Sequence, residues 1–299
     1  MTDKEKEYRD FMRHSKVTWN QYKDVRKHYG NVGSFAYWPT CDANSVETEK
    51  GSGKYIAKPL IANTEDQYNK GLSGHLHNGV VLLGYNFGVP KKFENLSKAK
   101  KADLLGSMND MSNQYGGQYG KKSLNVYLNE NYYHEVEGGK PTTGYGEDEY
   151  RYTDGAYMTD FFKFDIKNKL DDKPTGIPSK YSNQMREEKK AEGKWDELVR
   201  LNAEGLKKEL DTLGAPKDVI IAPMINDLKN DEIKNAIRQC LGEDVVFIDC
   251  LNHYAAYSER KNEQNKQPLK AKFAKNLIDL NKKIGEIVHE RCRDAQRNS

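Results

Sequence analysis

A chain of 299 residues is long enough to bury a sizeable core, 36% hydrophobic with 31% charged residues calls for a compact one, and four apolar strand-like runs argue against a wholly disordered polypeptide. The 48 Lys and Arg against 45 Asp and Glu leave a net charge of +3, which permits a local basic face without announcing a nucleic-acid binder. No apolar run approaches the ~20 residues of a membrane span, the first residues lack a signal core, and Cys41, Cys240, Cys250 and Cys292 show no C-x-x-C spacing, so the expectation is a cytoplasmic protein with free thiols and no zinc ribbon.

In chain order, Tyr8, Phe11, Met12, Val17, Trp19, Tyr22 and Val25 recur at helical intervals and predict one or two helices over residues 3–29, ended by Gly30 and Gly33. Residues 31–78 read as irregular. The run Gly79-Val80-Val81-Leu82-Leu83-Gly84 predicts a first core strand. A helix is expected from Ser97, a plausible N-cap, to Met111, and the Tyr- and Gly-dense stretch 114–152 reads as a long loop. The run from Gly155 to Phe162 predicts a second strand ending near Asp160. One helix is expected from about Gln184 to Leu213, stopped by Gly214-Ala215-Pro216. A third strand over Asp218–Pro223, a helix over Asp227–Leu241, a fourth strand over Asp244–Asp249 and a last helix over 265–295 follow. That last helix carries Leu269, Phe273, Leu277, Leu280, Ile284 and Ile287 on one side.

Alternating strands and helices imply a three-layer α/β/α domain with a four-stranded parallel sheet, the first two strands exchanged in spatial order, and any site at the carboxyl ends of the strands. The whole chain, 1–299, is expected to form one domain, with 1–78 an N-terminal extension, 79–260 the core and 261–299 a C-terminal helix. The strand-end rule singles out Gly84-Tyr85-Asn86-Phe87-Gly88, Thr159-Asp160 and Leu251-Asn252-His253-Tyr254-Ala255-Ala256. A Gly-x-Asn-x-Gly turn exposes backbone N–H groups and an amide to a ligand; it equally lets Asn86 bond its own turn.

Val80-Val81-Leu82-Leu83-Gly84-Tyr85-Asn86-Phe87-Gly88 resembles the Gly-x-Asn-Pro-Gly first motif of the uracil-DNA glycosylase superfamily, in the style of its mismatch-specific and single-strand-selective branches. Ala156-Tyr157-Met158-Thr159-Asp160-Phe161-Phe162-Lys163 is similar to the family's Ala-Tyr-hydrophobic-Thr-Asn-hydrophobic-hydrophobic-Lys segment, and His253-Tyr254-Ala255-Ala256 stands where the superfamily has a His-Pro-Ser-type motif. The chain departs from the pattern at Phe87, Asp160, Tyr254 and Ala255.

The resemblance implies a divergent, monofunctional base-excision enzyme acting on DNA, duplex or single-stranded, with an unusual or modified base as substrate, cytosine-derived bases among them. The alternative is a non-catalytic nucleic-acid- or protein-binding module of the same fold. Under the first reading Asn86 positions the attacking water and His253 stabilises charge on the departing base, while Tyr85, Phe87 and Asp160 meet the base. His253 as a helix cap and the two aromatic rings as core packing remain open alternatives. An ionised Asp160 offers acceptors only and suits an exocyclic amino group; its other reading is a structural one, holding a helix N-terminus. Lys91, Lys92, Lys121 and Lys122 are the candidates for phosphate contacts. The pair His75-x-His77, with His134, Glu135 and Glu137, is too incomplete to assign a metal, so neither metal nor cofactor is expected. No membrane partner is expected, and oligomeric state is left open.

Overall fold

The computed structural model describes residues 2–36, 61–85, 150–166, 170, 174, 182–249 and 266–297, with four two-residue strand pieces at Glu47–Thr48, Tyr55–Ile56, Glu135–Val136 and Lys140–Pro141. Two helices open the described chain. Thr2 caps α1 (Asp3–His14) through Glu5 N, and Thr18 with Gln21 forms a reciprocal capping box on α2 (Trp19–Tyr29). Then follow β1 (Ser34–Phe35), α3 (Glu65–Gly71), β2 (His77–Gly84) and β3 (Ala156–Asp160). The chain continues with α4 (Ser182–Ala191), α5 (Trp195–Leu213), β4 (Ile220–Pro223), a 3-10 turn at Asn226–Lys229, α6 (Asp231–Leu241), β5 (Val246–Phe247) and α7 (Lys266–Arg297).

The protein is α/β, built on a mixed five-stranded sheet in the order β1-β3-β2-β4-β5. β3, β2, β4 and β5 are mutually parallel, and the exchange of the first two core strands is present. The expectation of a purely parallel four-stranded sheet is corrected at one edge, where β1 pairs antiparallel with β3 through Ser34 opposite Met158 and Phe35 opposite Tyr157. Two residues leave no periodic trace in a sequence, which is why that stretch reads as irregular. At the other edge β5 is equally short, and Lys234 and Arg238 of α6 lie 5.7 and 5.1 Å from the Phe247 ring centre.

β2 is buried along its whole length, as a central strand of a parallel sheet covered on both faces must be. Period-two alternation divides its side chains. Val80 and Leu82 join Met158, Leu277, Leu280 and Ile284 in one apolar cluster, while Val81 and Leu83 join Val25, Tyr157, Leu206 and Leu210 in another. Helices therefore lie on both faces, α1 and α7 on one and α2, α5 and α6 on the other.

The single helix expected over 184–213 is two. Gly193, at φ +67°, takes the left-handed conformation that L side chains resist, and Trp195 starts a new helix after it. Gly214, at φ +70°, ends α5. On α7 the buried face runs Leu277, Leu280, Ile284 and Val288, with Ile287 to its side.

Candidate functional site

Three parallel strands end side by side. Met224 N donates to Leu83 O at 2.9 Å, Phe161 N to Gly84 O at 2.8 Å and Phe162 N to Tyr85 O at 2.8 Å. Gly84, Tyr85 and Asp160 thus share the carboxyl edge of the sheet, where open α/β sheets place ligands.

Gly84 stands opposite Asp160 in register, and the aspartate leans across it. A Cβ on Gly84 would lie 2.3 Å from Asp160 Oδ1, so the close approach depends on glycine. Asp160 is half-buried as a residue, and desolvation pushes its carboxyl pKa up to about 7, with Lys163 opposing the shift and Glu209 reinforcing it. Acid and carboxylate are both populated at neutral pH. The carboxylate offers acceptors only, whereas the acid carries one O–H donor beside an acceptor. That pair matches the neighbouring acceptor and N–H of a uracil-type edge, whereas the carboxylate matches an edge with two donors.

Beneath Asp160 lies a buried polar network. Tyr157 and Thr159 hydroxyls donate to Glu209 Oε1 at 2.6 and 2.8 Å, and the Lys163 ammonium donates to Glu209 Oε2 and, at 2.9 Å, to Thr159 Oγ1. Burial and the adjacent Glu209 carboxylate hold the Tyr157 phenol well above its usual pKa, so it stays a donor. Asn202 Oδ1 accepts from Lys163 N at 2.8 Å and Phe164 N at 2.9 Å, and its Nδ2 donates to Phe164 O and Leu198 O, each at 2.9 Å. Every hydrogen-bonding atom of that amide is used. Sequence reasoning missed Glu209 and Asn202; the signal was a carboxylate and an amide on the apolar stripe Leu198, Asn202, Leu206, Glu209, Leu213 of α5.

Tyr85 is buried, its ring 4.7 Å from Phe162, which in turn lies 5.4 Å from Trp195. Burial first, then Asp227, pushes the Tyr85 phenol up to about 12, with Arg186 opposing. Arg186 and Lys190 each stand 5.8 Å from the Trp195 ring centre, and Arg186 lies 3.7 Å from Asp227. Cationic groups thus flank the aromatic cluster at this end of the sheet.

Asn86, Phe87, Lys91, Lys92, Lys121, Lys122 and His253 lie outside the described residues, as do His134 and Glu137. The His75-x-His77 pair is divided: His75 is exposed and His77 fully buried. Neither ring nitrogen of His77 has a partner at hydrogen-bond geometry, and Phe11 stands edge-on at 5.8 Å. Burial drives the His77 pKa down to about 4, although the nearby backbone of Tyr152 and Asp154 acts the other way, so the imidazole is neutral. Among the described residues no group of three or more His, Cys, Asp or Glu side chains is arranged to hold a metal ion. Family models, curated proteins and solved structures all give no match to this chain.

Proposed function

We propose that the chain is a monofunctional DNA glycosylase-like enzyme of the uracil-DNA glycosylase type, hydrolysing the N-glycosidic bond of an unusual or modified base and leaving an abasic site. The observation that carries the reading is Asp160. It is a half-buried residue whose carboxyl, its pKa pushed up to about 7, approaches a glycine at the ends of two adjacent parallel strands. Such a group can read the polar edge of a base extruded from the nucleic-acid stack. Asn86 follows Tyr85 directly in the chain and positions the water that adds to the sugar carbon. The electron pair of the breaking bond leaves with the base, whose growing negative charge His253 stabilises as a neutral hydrogen-bond donor. Lys91, Lys92, Lys121 and Lys122 contact phosphates, with Arg186 and Lys190 adding positive charge near the same strand ends.

The test is a panel of oligonucleotides carrying uracil, mismatched, deaminated or modified-cytosine bases, followed by alkaline cleavage at abasic sites. Strand cleavage that requires the protein supports the reading. Absence of base release from every member, with oligonucleotide binding retained, turns it in favour of a non-catalytic binding module.

A further inference from the structure

Trp195 is 6% exposed, yet its indole Nε1–H has no hydrogen-bond acceptor among the described residues, and the Nε–H of Arg186 is likewise buried and unpaired. Buried donors are nearly always satisfied, so two in one place call for an acceptor from outside the chain. The two groups are neighbours: Arg186 Cζ and Lys190 Nζ each stand 5.8 Å from the Trp195 ring centre. Arg186 and Lys190 lie one turn apart on α4, where like charges repel, and a single cation would suffice to cover the ring. Asp227, paired with Arg186 at 3.7 Å, lies beyond hydrogen-bond reach of the guanidinium. Glu192 is taken by Lys189 and Lys194, which leaves exposed Lys190 with no printed carboxylate among the described residues. The cluster stands at the carboxyl ends of the strands, because Trp195 packs on Phe162 at 5.4 Å and Phe162 N donates to Tyr85 O. Tyr85, Phe162 and Trp195 are all buried, so this corner presents donors and charge rather than a stacking surface.

We propose that Arg186, Lys190 and the Trp195 indole N–H form a subsite for a phosphate group, the phosphodiester of a polynucleotide lying across the strand ends. A tetrahedral oxyanion presents several acceptors at once, which suits an indole N–H, a guanidinium fork and an ammonium brought together from two helices. Arg186, its side chain 29% exposed, and exposed Lys190 meet the anion first. A turn of the arginine side chain then brings the inner N–H groups within reach. Phe162 ties the subsite to the strand end that carries Asp160, two residues before it. That the phosphate belongs to a polynucleotide rests on the proposed function; the anion subsite does not.

The experiment uses the 15N-labelled full chain and follows the indole N–H resonance of Trp195, identified among the three tryptophans by its loss in Trp195→Phe. Inorganic phosphate and a single-stranded oligonucleotide of unmodified bases are titrated separately, with chloride at equal ionic strength as the reference. Both probes should move that resonance saturably while the indole of Trp19 stays in place. Arg186→Gln should weaken oligonucleotide affinity about 10-fold, through the loss of charge-assisted hydrogen bonds. Adding Lys190→Gln should lower the slope of log affinity against log salt by about 1.4 in all, at about 0.7 per cation. Lys190→Gln alone, at an exposed position, keeps a readout should the arginine variant fail to fold. A resonance moved by phosphate but not by the oligonucleotide overturns the polynucleotide source and assigns the subsite to a small phosphorylated molecule. A resonance that neither probe moves, or that chloride moves equally, overturns the subsite, whether or not the chain releases bases. A moved resonance in a chain that releases no base from any oligonucleotide supports the subsite and overturns base excision instead.

Discussion

Oδ1 of Asp160 stands 2.3 Å from the point where a side chain on Gly84 would begin, so the carboxyl keeps this position beside β2 only while position 84 carries a hydrogen. Gly84→Ala forces the carboxyl aside. Because the obstructing atom is the tip of a side chain, the stability loss should be small, about 1 kcal/mol. Base release should fall far more. Urea unfolding beside a single-turnover assay separates the two; equal activity in wild type and variant would remove Asp160 from the site.

The same carboxyl leaves a mark on stability. Its pKa rises from 3.8 to about 7 on folding, so between these values the folded state holds a proton that the unfolded state has released. Its contribution is therefore destabilising above pH 7 and vanishes below pH 4. Asp160→Asn should stabilise the protein at pH 8 relative to pH 5, as read by melting temperature at the two pH values.

His77 acts in the opposite sense. Its pKa falls from 6.5 to about 4, so stability drops as pH descends through that window and the unfolded state takes up the proton. The loss should be on the order of 3 kcal/mol when complete. In His77→Phe this acid-side decline should flatten, whatever the substitution does to stability at neutral pH; an unchanged slope would show that the imidazole is not the titrating group.

Asn202→Ala strands two backbone donors and a carbonyl in the core beside Lys163. A cost of about 3 kcal/mol is expected, because each buried group left unpaired costs roughly 1–3 kcal/mol. Denaturant titration at neutral pH gives the value, and a loss below 1 kcal/mol would mean water enters to replace the amide.

Asn86→Ala and His253→Ala should each slow base release by ~10²-fold or more with oligonucleotide binding nearly intact, because their proposed roles concern the breaking bond rather than the phosphates. Binding titrations and single-turnover rates on one substrate decide this. Weakened binding with an unchanged rate would reassign both residues to the nucleic-acid surface.

The three central strands were legible because burial on both faces makes Val80–Leu83, Ala156–Thr159 and Val219–Ala222 nearly unbroken apolar runs, and their parallel order followed from the helices expected between them. The break at Gly193 was not, since an isolated glycine in a polar helical stretch is compatible with an unbroken helix. Gly84 and Asp160 were legible as strand-end residues. The upward shift of the Asp160 pKa was not, because it depends first on burial, which only folding supplies. The division of His75 from His77 was equally hidden: the turn before β2 exposes the first while the strand buries the second.

Among the described residues, the two outer strands of the sheet, β1 and β5, are each two residues long. An incoming strand from another polypeptide would find at either margin a ladder too brief to set a register. At β5 it would also meet Arg238 over Phe247 and Lys234, which is paired with Asp249 beside the same ring. The apolar centre that makes this sheet stable is thus kept from serving as a template for fibrous growth.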